Sequence, residues 1–221
     1  TGNDYLEGLT GDDVLIGGDG TDTLVGGAGA DTLNGGNGTD TASYAGSSAG
    51  VTVRLWNGTG VGGDAQGDTL TSIERVVGSA FNDALIGTNG AADTLEGGTG
   101  NDYLEGLTGD DVLIGGAGAD ALTGGDGLDT ADYSGSSAGV TVRLWNGTGA
   151  GGDAQGDTLT SIERVVGSAF NDALIGANGA ADTLEGGAGN DYLEGLTGDD
   201  VLSGGDGTDT LVGGAGADTL N

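Results

Sequence analysis

The sequence contains no cysteine, histidine, proline, methionine or lysine. Without thiolate or imidazole groups it offers no ordinary site for zinc, copper or an iron–sulfur cluster, so any metal it takes must accept oxygen ligands. Its only cationic side chains are Arg54, Arg75, Arg143 and Arg164, too few for a nucleic-acid or anionic-membrane surface. No apolar run approaches the ~20 residues of a membrane-spanning helix, so no membrane insertion is expected, and no N-terminal signal-peptide pattern is visible. A serine or threonine nucleophile would find no histidine or lysine to act as its base. The sequence predicts no enzyme.

Glycine is abundant instead, at 54 of 221 residues, and 35 acidic residues give a formal net charge of −31. By amount alone this is the composition of a disordered chain. The order of the residues argues otherwise. From Gly17 the chain reads GGDGTDTLV, GGAGADTLN, GGNGTDTAS, a nine-residue pattern G-G-x-G-x-D-x-U-x in which U is a large apolar residue. The pattern fills residues 1–43, 78–132 and 167–221, with less regular stretches at 44–77 and 133–166. Its sixth-position aspartates are Asp4, Asp13, Asp22, Asp31 and Asp40, then Asp83, Asp93, Asp102, Asp111, Asp120 and Asp129, then Asp172, Asp182, Asp191, Asp200, Asp209 and Asp218. The eighth position is leucine in every repeat except those of Ala42 and Ala131. A solvating tract has no reason to hold Asp and Leu two residues apart so regularly.

This pattern resembles the RTX, or hemolysin-type, calcium-binding nonapeptide repeat. The resemblance implies an all-β fold without helices: a right-handed parallel β-roll, a solenoid of the β-helix kind, with Ca²⁺ in its turns. It further implies type I secretion from a Gram-negative bacterium, folding on extracellular calcium, and a secreted or cell-surface location. Parents of such modules include adhesins, surface layers, matrix or filament arrays, and exoenzymes such as proteases, lipases and alginate epimerases.

The residue types support calcium on their own chemistry. Glycines at positions 1, 2 and 4 permit φ > 0 and close backbone approach, so a six-residue turn can aim several carbonyls into one pocket while the aspartate adds a carboxylate. Candidate carbonyl donors are Gly18, Gly20, Gly27, Gly29, Gly36 and Gly38, Gly98, Gly100, Gly116 and Gly118, and Gly187, Gly189, Gly205 and Gly207. Ca²⁺ takes ~6–8 oxygen ligands, more than one turn supplies. Each repeat has one inward apolar residue, so two repeats should form a coil of 18 residues with turns on opposite edges, and repeats n and n+2 should stack. The aspartates then pair as Asp4–Asp22, Asp22–Asp40 and Asp13–Asp31; as Asp83–Asp102, Asp102–Asp120, Asp93–Asp111 and Asp111–Asp129; and as Asp172–Asp191, Asp191–Asp209, Asp182–Asp200 and Asp200–Asp218. About eleven ions or more are expected. Neither the flanking helices and bidentate Glu of an EF-hand nor the Lys of a phosphate-binding loop is present.

A longer period overlies the short one. Residues 44–87 return nearly unchanged from Tyr133 onward, an offset of 89 residues, which reads as duplication and as a window on a longer array. The stretches 44–77 and 133–166 read as wider coils of one continuous solenoid, with Val51, Val53 and Leu55 alternating against Thr52, Arg54 and Trp56 in the manner of a half-buried strand. Asp68 and Asp157 are expected as weaker members of the ligand ladder, and Arg54–Glu74 and Arg143–Glu163 as exposed ion pairs of small effect. Trp56 and Trp145 either pack on a neighbouring loop or offer a stacking platform to a polysaccharide. Uncapped solenoid ends allow end-to-end self-assembly or continuation of the array.

Overall fold

A nonapeptide has one inward apolar side chain and a turn rich in glycine, so a single repeat can bury nothing alone. Stacking supplies what it lacks. The computed structural model describes residues 1–221 and is a parallel β-solenoid of about 12 turns. Two sheets run its length, one of eleven strands and one of fourteen. Successive nonapeptides alternate between them, so neighbours in either sheet come from repeats n and n+2. In the eleven-stranded sheet Leu6 stands beside Leu24, Leu24 beside Ala42, and Ala42 beside Val76. In the other sheet Leu15 stands beside Leu33, and Leu33 beside Leu70. These rows join one continuous apolar core. Leu24, Leu33, Leu85, Leu95, Leu104 and Leu113 within it are fully buried, each worth ~1.5–3 kcal/mol in transfer terms. The seventh-position side chains point outward, as Tyr5 and Tyr103 show. No α-helix is present; the helical elements are four short 3₁₀ turns, all in the two wide coils.

The wide coils depart from parallel pairing. Strands Thr52–Arg54, Thr59–Val61 and Thr69–Thr71 form an antiparallel meander inside the otherwise parallel sheet. The chain first steps ahead to pair Thr52–Arg54 with Ala84–Ile86 and then works back until Thr69–Thr71 meets Thr32–Gly38. A 3₁₀ turn over Leu55–Asn57, closed by Gly58 at φ 64, reverses the chain after the first strand. The predicted alternation therefore holds over Thr52–Arg54 and ends at Leu55. Residues 141–160 repeat the arrangement. One wide coil buries Tyr44, Val51, Val53, Ala65, Leu70, Ile73 and Val76, where a regular coil buries two leucines.

Candidate metal centre

The sixth-position aspartate stands at the end of each turn, immediately before its strand, so stacking the strands stacks the carboxylates. The structure brings together the partners of all eleven aspartate pairs expected from the sequence, and in each pair the contact has one form. The backbone N–H of the earlier aspartate donates to Oδ1 of the later one. In the first block Asp4 donates to Asp22 at 2.7 Å, Asp13 to Asp31 at 2.9 Å and Asp22 to Asp40 at 2.8 Å. The second block repeats this from Asp83 to Asp102, Asp93 to Asp111, Asp102 to Asp120 and Asp111 to Asp129. In the third block Asp172 donates to Asp191, Asp182 to Asp200, Asp191 to Asp209 and Asp200 to Asp218.

That bond uses one carboxylate oxygen and leaves the other. Oδ2 of Asp13, Asp22, Asp31, Asp40, Asp102, Asp111, Asp120, Asp129, Asp191 and Asp200 is buried with no hydrogen-bond partner. A row of unpartnered buried carboxylate oxygens is costly unless something positive meets it. Burial is also the main force raising Asp31, Asp102, Asp111, Asp120, Asp129 and Asp191 above the usual carboxylate value. Asp102 is pushed up to about 7, and Asp111, Asp120 and Asp182 to about 6, by burial first and by neighbouring carboxylates next. No cationic group forms an ion pair with the stack: the two ion pairs join Arg75 to Glu96 at 2.6 Å and Arg164 to Glu185 at 2.7 Å. The expected pairs Arg54–Glu74 and Arg143–Glu163 do not form, because both glutamates turn inward to backbone N–H groups.

The glycines show what else borders the orphan oxygen. All fourteen candidate glycines have φ between 88° and 159°, which a side chain rarely tolerates. Their carbonyls point along the solenoid: a Cβ on Gly36 would strike the Gly18 carbonyl, and one on Gly38 the Gly20 carbonyl. A carbonyl from another position also borders the free carboxylate. A Cβ on Gly17 would collide with Asp22 Oδ2 and lie 2.7 Å from the carbonyl oxygen of Gly35, the first glycine two repeats on. The first-position carbonyl is thus a further candidate donor, absent from those expected from the sequence. The signal was there, since this glycine is kept where no positive φ requires it. No three acidic side chains converge on one point, so each turn offers carboxylates in stacked pairs with carbonyls beside them. That all-oxygen set, with an unsatisfied negative charge, fits a hard divalent cation of calcium's ligand preference. The residues that would hold it are the stacked aspartates and the turn carbonyls, and the ion would supply neutralising charge and a link between coils.

Two further sets of contacts were not read from the sequence. At the fifth position Asn or Asp side chains accept the N–H of the matching residue in the following same-edge turn. Asn3 takes Thr21 at 3.0 Å, Asp12 takes Ala30 at 3.0 Å, and Asp110 takes Leu128 at 2.9 Å. These bonds run in the opposite direction to the aspartate ladder, so same-edge turns are stitched both ways. In the wide coils and in the first repeat after each, protein groups fill the carboxylates. Asp68 accepts the Asp31 N–H at 2.8 Å and the buried Tyr44 hydroxyl at 3.0 Å, and Asp157 is held likewise by Asp120 and Tyr133. Asp83 and Asp172 are occupied by Ser79 and Ser168 and by the N–H groups of Val51 and Val140. Asp68 and Asp157 therefore join the hydrogen-bonded column, but both their oxygens are engaged by protein groups, which leaves neither free for the ligand role expected of them. Replacing Tyr44 by Phe should strand Asp68 Oδ2 and destabilise the calcium-loaded chain by ~1–3 kcal/mol, read as a lower urea midpoint.

The family model of the RTX calcium-binding nonapeptide repeat (4 copies) matches this chain at residues 1–33, 16–43, 77–113, 88–122, 96–131, 157–193, 177–211 and 185–220. Residues 44–76 and 132–156, which make up most of the two wide coils, and residue 221 fall outside these matches. No curated relative matches the chain.

Proposed function

We propose that this chain, which belongs to the RTX calcium-binding nonapeptide repeat family, is a calcium-clamped structural length of a secreted bacterial array, folding on Ca²⁺ after export. One observation carries the reading: the two columns of stacked aspartates, each presenting buried oxygens with no partner. The ligands are the sixth-position aspartates with turn carbonyls, about eleven ions in the regular turns. Several features support export and assembly. The chain has no cysteine and a charge of −31, which suits a polypeptide kept unfolded by self-repulsion where calcium is scarce. The 89-residue duplication suits an adhesin, surface layer, matrix fibre or filament that changes length by whole units.

The test compares aspartates on and off the ladder. Asp111 bonds to both Asp93 and Asp129, so Asp111→Ala removes ligands from two proposed ions. Asp19, by contrast, meets only the Asn37 amide on the surface. Circular dichroism titrations should show a clearly higher calcium midpoint for Asp111→Ala and an unchanged one for Asp19→Ala. Individual affinities are expected near the weak extracellular range, ~10⁻⁴–10⁻³ M. Equal midpoints for the two variants would overturn the ligand assignment.

A further inference from the structure

Where each wide coil rejoins the regular array, one turn is shortened. Between strands Thr69–Thr71 and Arg75–Val77 only Ser72, Ile73 and Glu74 remain, in place of a six-residue nonapeptide turn. Leu70 and Val76 hold the inward positions on either side, beside Leu33 and Ala42. Glu74 therefore stands immediately before its strand, where a regular repeat has its aspartate. It makes the same bond, accepting the Asp40 N–H on Oε2 at 2.9 Å. The extra methylene of glutamate supplies reach that the missing turn residues no longer give.

The carbonyl partner is replaced as well. A Cβ on Gly35 would collide with the Ser72 carbonyl and lie 2.5 Å from Asp40 Oδ2, as one on Gly17 would meet Gly35 and Asp22. Ser72 is held at φ 51, a conformation unusual for a residue with a side chain. Both neighbours in the column carry an orphan oxygen. Asp40 is fully buried and its Oδ2 has no partner. The Glu74 N–H turns back to the Asp40 carbonyl at 3.1 Å instead of forward to Asp93, so Asp93 Oδ1 is also buried and unpartnered. The second wide coil repeats every element: Asp129 donates to Glu163 at 3.0 Å, Ser161 has φ 50, and Asp129 Oδ2 and Asp182 Oδ1 lack partners.

We propose that Asp40, the Ser72 carbonyl and Glu74 hold a calcium ion outside the nonapeptide pattern, and that Asp129, the Ser161 carbonyl and Glu163 hold another. This rests on the reading of the regular turns as calcium sites. One edge of the solenoid then carries its ions into each wide coil, through Asp22, Asp40 and Glu74, and resumes at Asp93 and Asp111. On the opposite edge Tyr44 and Ser79 close the column with protein hydrogen bonds.

Trp56 gives the test its probe, because it lines a cavity of about 410 Å³ together with Ser72, Glu74 and Asp93. Terbium takes oxygen sites like those of calcium and emits when a nearby excited tryptophan transfers energy to it. Terbium titrated into the full chain, excited where only tryptophan absorbs, should give sensitised emission. A Glu74→Gln/Glu163→Gln double variant should lose most of that emission and, by native mass spectrometry, bind two calcium ions fewer. Asp19→Ala, an exposed acid off the ladder that meets only the Asn37 amide, should keep the emission and the ion count. A folded double variant with undiminished emission and an unchanged ion count would overturn the proposal. If it fails to fold, Glu74→Asp/Glu163→Asp keeps the charge but shortens the reach, and an unchanged terbium midpoint there would be equally fatal. A wild-type chain that binds no calcium at all would instead defeat the underlying reading of the regular turns.

Discussion

Excess EDTA at neutral pH is expected to abolish most of the chain's β-structure, and calcium is expected to restore it in a cooperative transition. A regular coil buries two leucines while fixing 18 residues, many of them glycines, whose backbone freedom is the costliest to lose. Strand pairing offsets little of this, because each hydrogen bond replaces one to water. The columns then add a penalty that most folds lack. The columns line up carboxylates whose second oxygen is buried and unpartnered, in a chain already at −31. Eleven divalent ions would bring that formal charge to about −9, and each would link two coils. Cooperativity follows from sharing, since Asp22, Asp111 and Asp200 each bond to aspartates on both sides. Residual order in EDTA should concentrate in the wide coils and the first repeat after each, where Tyr44, Val51, Val53 and Leu70 are packed and Asp68 and Asp83 are satisfied by protein groups. Far-UV circular dichroism reads the global loss, and hydrogen exchange locates the remainder. A spectrum unchanged by the chelator would remove the case for calcium-dependent folding.

The regular blocks were legible because a period of nine leaves little freedom. One inward residue per repeat forces a two-repeat coil, and the pairing of Asp4 with Asp22, or of Asp93 with Asp111, follows without further information. The wide coils were less legible for a physical reason. Alternation at Val51 and Val53 identifies a strand, but nothing in its pattern tells whether the next strand returns parallel or antiparallel. That is decided by the 3₁₀ turn at Leu55–Asn57 and the left-handed Gly58. Glu74 was misjudged because charge beside Arg54 suggested a surface pair. In the folded chain a shortened turn carries Glu74 inward to the Asp40 N–H. Tyr44 was hidden by composition, since a lone tyrosine after a regular block does not announce that its hydroxyl will meet Asp68. The carbonyls of positions 2 and 4 drew attention through their need for φ > 0. The quieter first-position glycine also has a carbonyl that borders the orphan carboxylate oxygen.

Acid should partly replace calcium. The buried aspartates of the metal-free fold are raised from the usual carboxylate value of 3.8, Asp102 to about 7 and Asp68, Asp111, Asp120, Asp157 and Asp182 to about 6. Burial is the first cause in each case. A carboxyl group whose folded value lies above its unfolded value binds its proton more tightly in the folded chain. Protonation therefore favours the roll, and that contribution is fully present below about pH 3.8 and is lost as pH rises towards 6 to 7. This is the reverse of a salt-bridged aspartate, whose contribution disappears on acidification. A protonated carboxyl also turns Oδ2 from an unpaired acceptor into a group able to donate to a neighbouring carbonyl, here the first-position carbonyl beside it. In EDTA, lowering the pH from 7 to about 3 is thus expected to raise the β-signal in far-UV circular dichroism, with most of the change between pH 6 and 4. Sedimentation at each pH separates folding from association near the isoelectric point of about 4.1. A monomeric chain that stays unfolded throughout would show that proton-for-ion replacement does not relieve the columns, and that the bridging geometry of the cation matters beyond its charge.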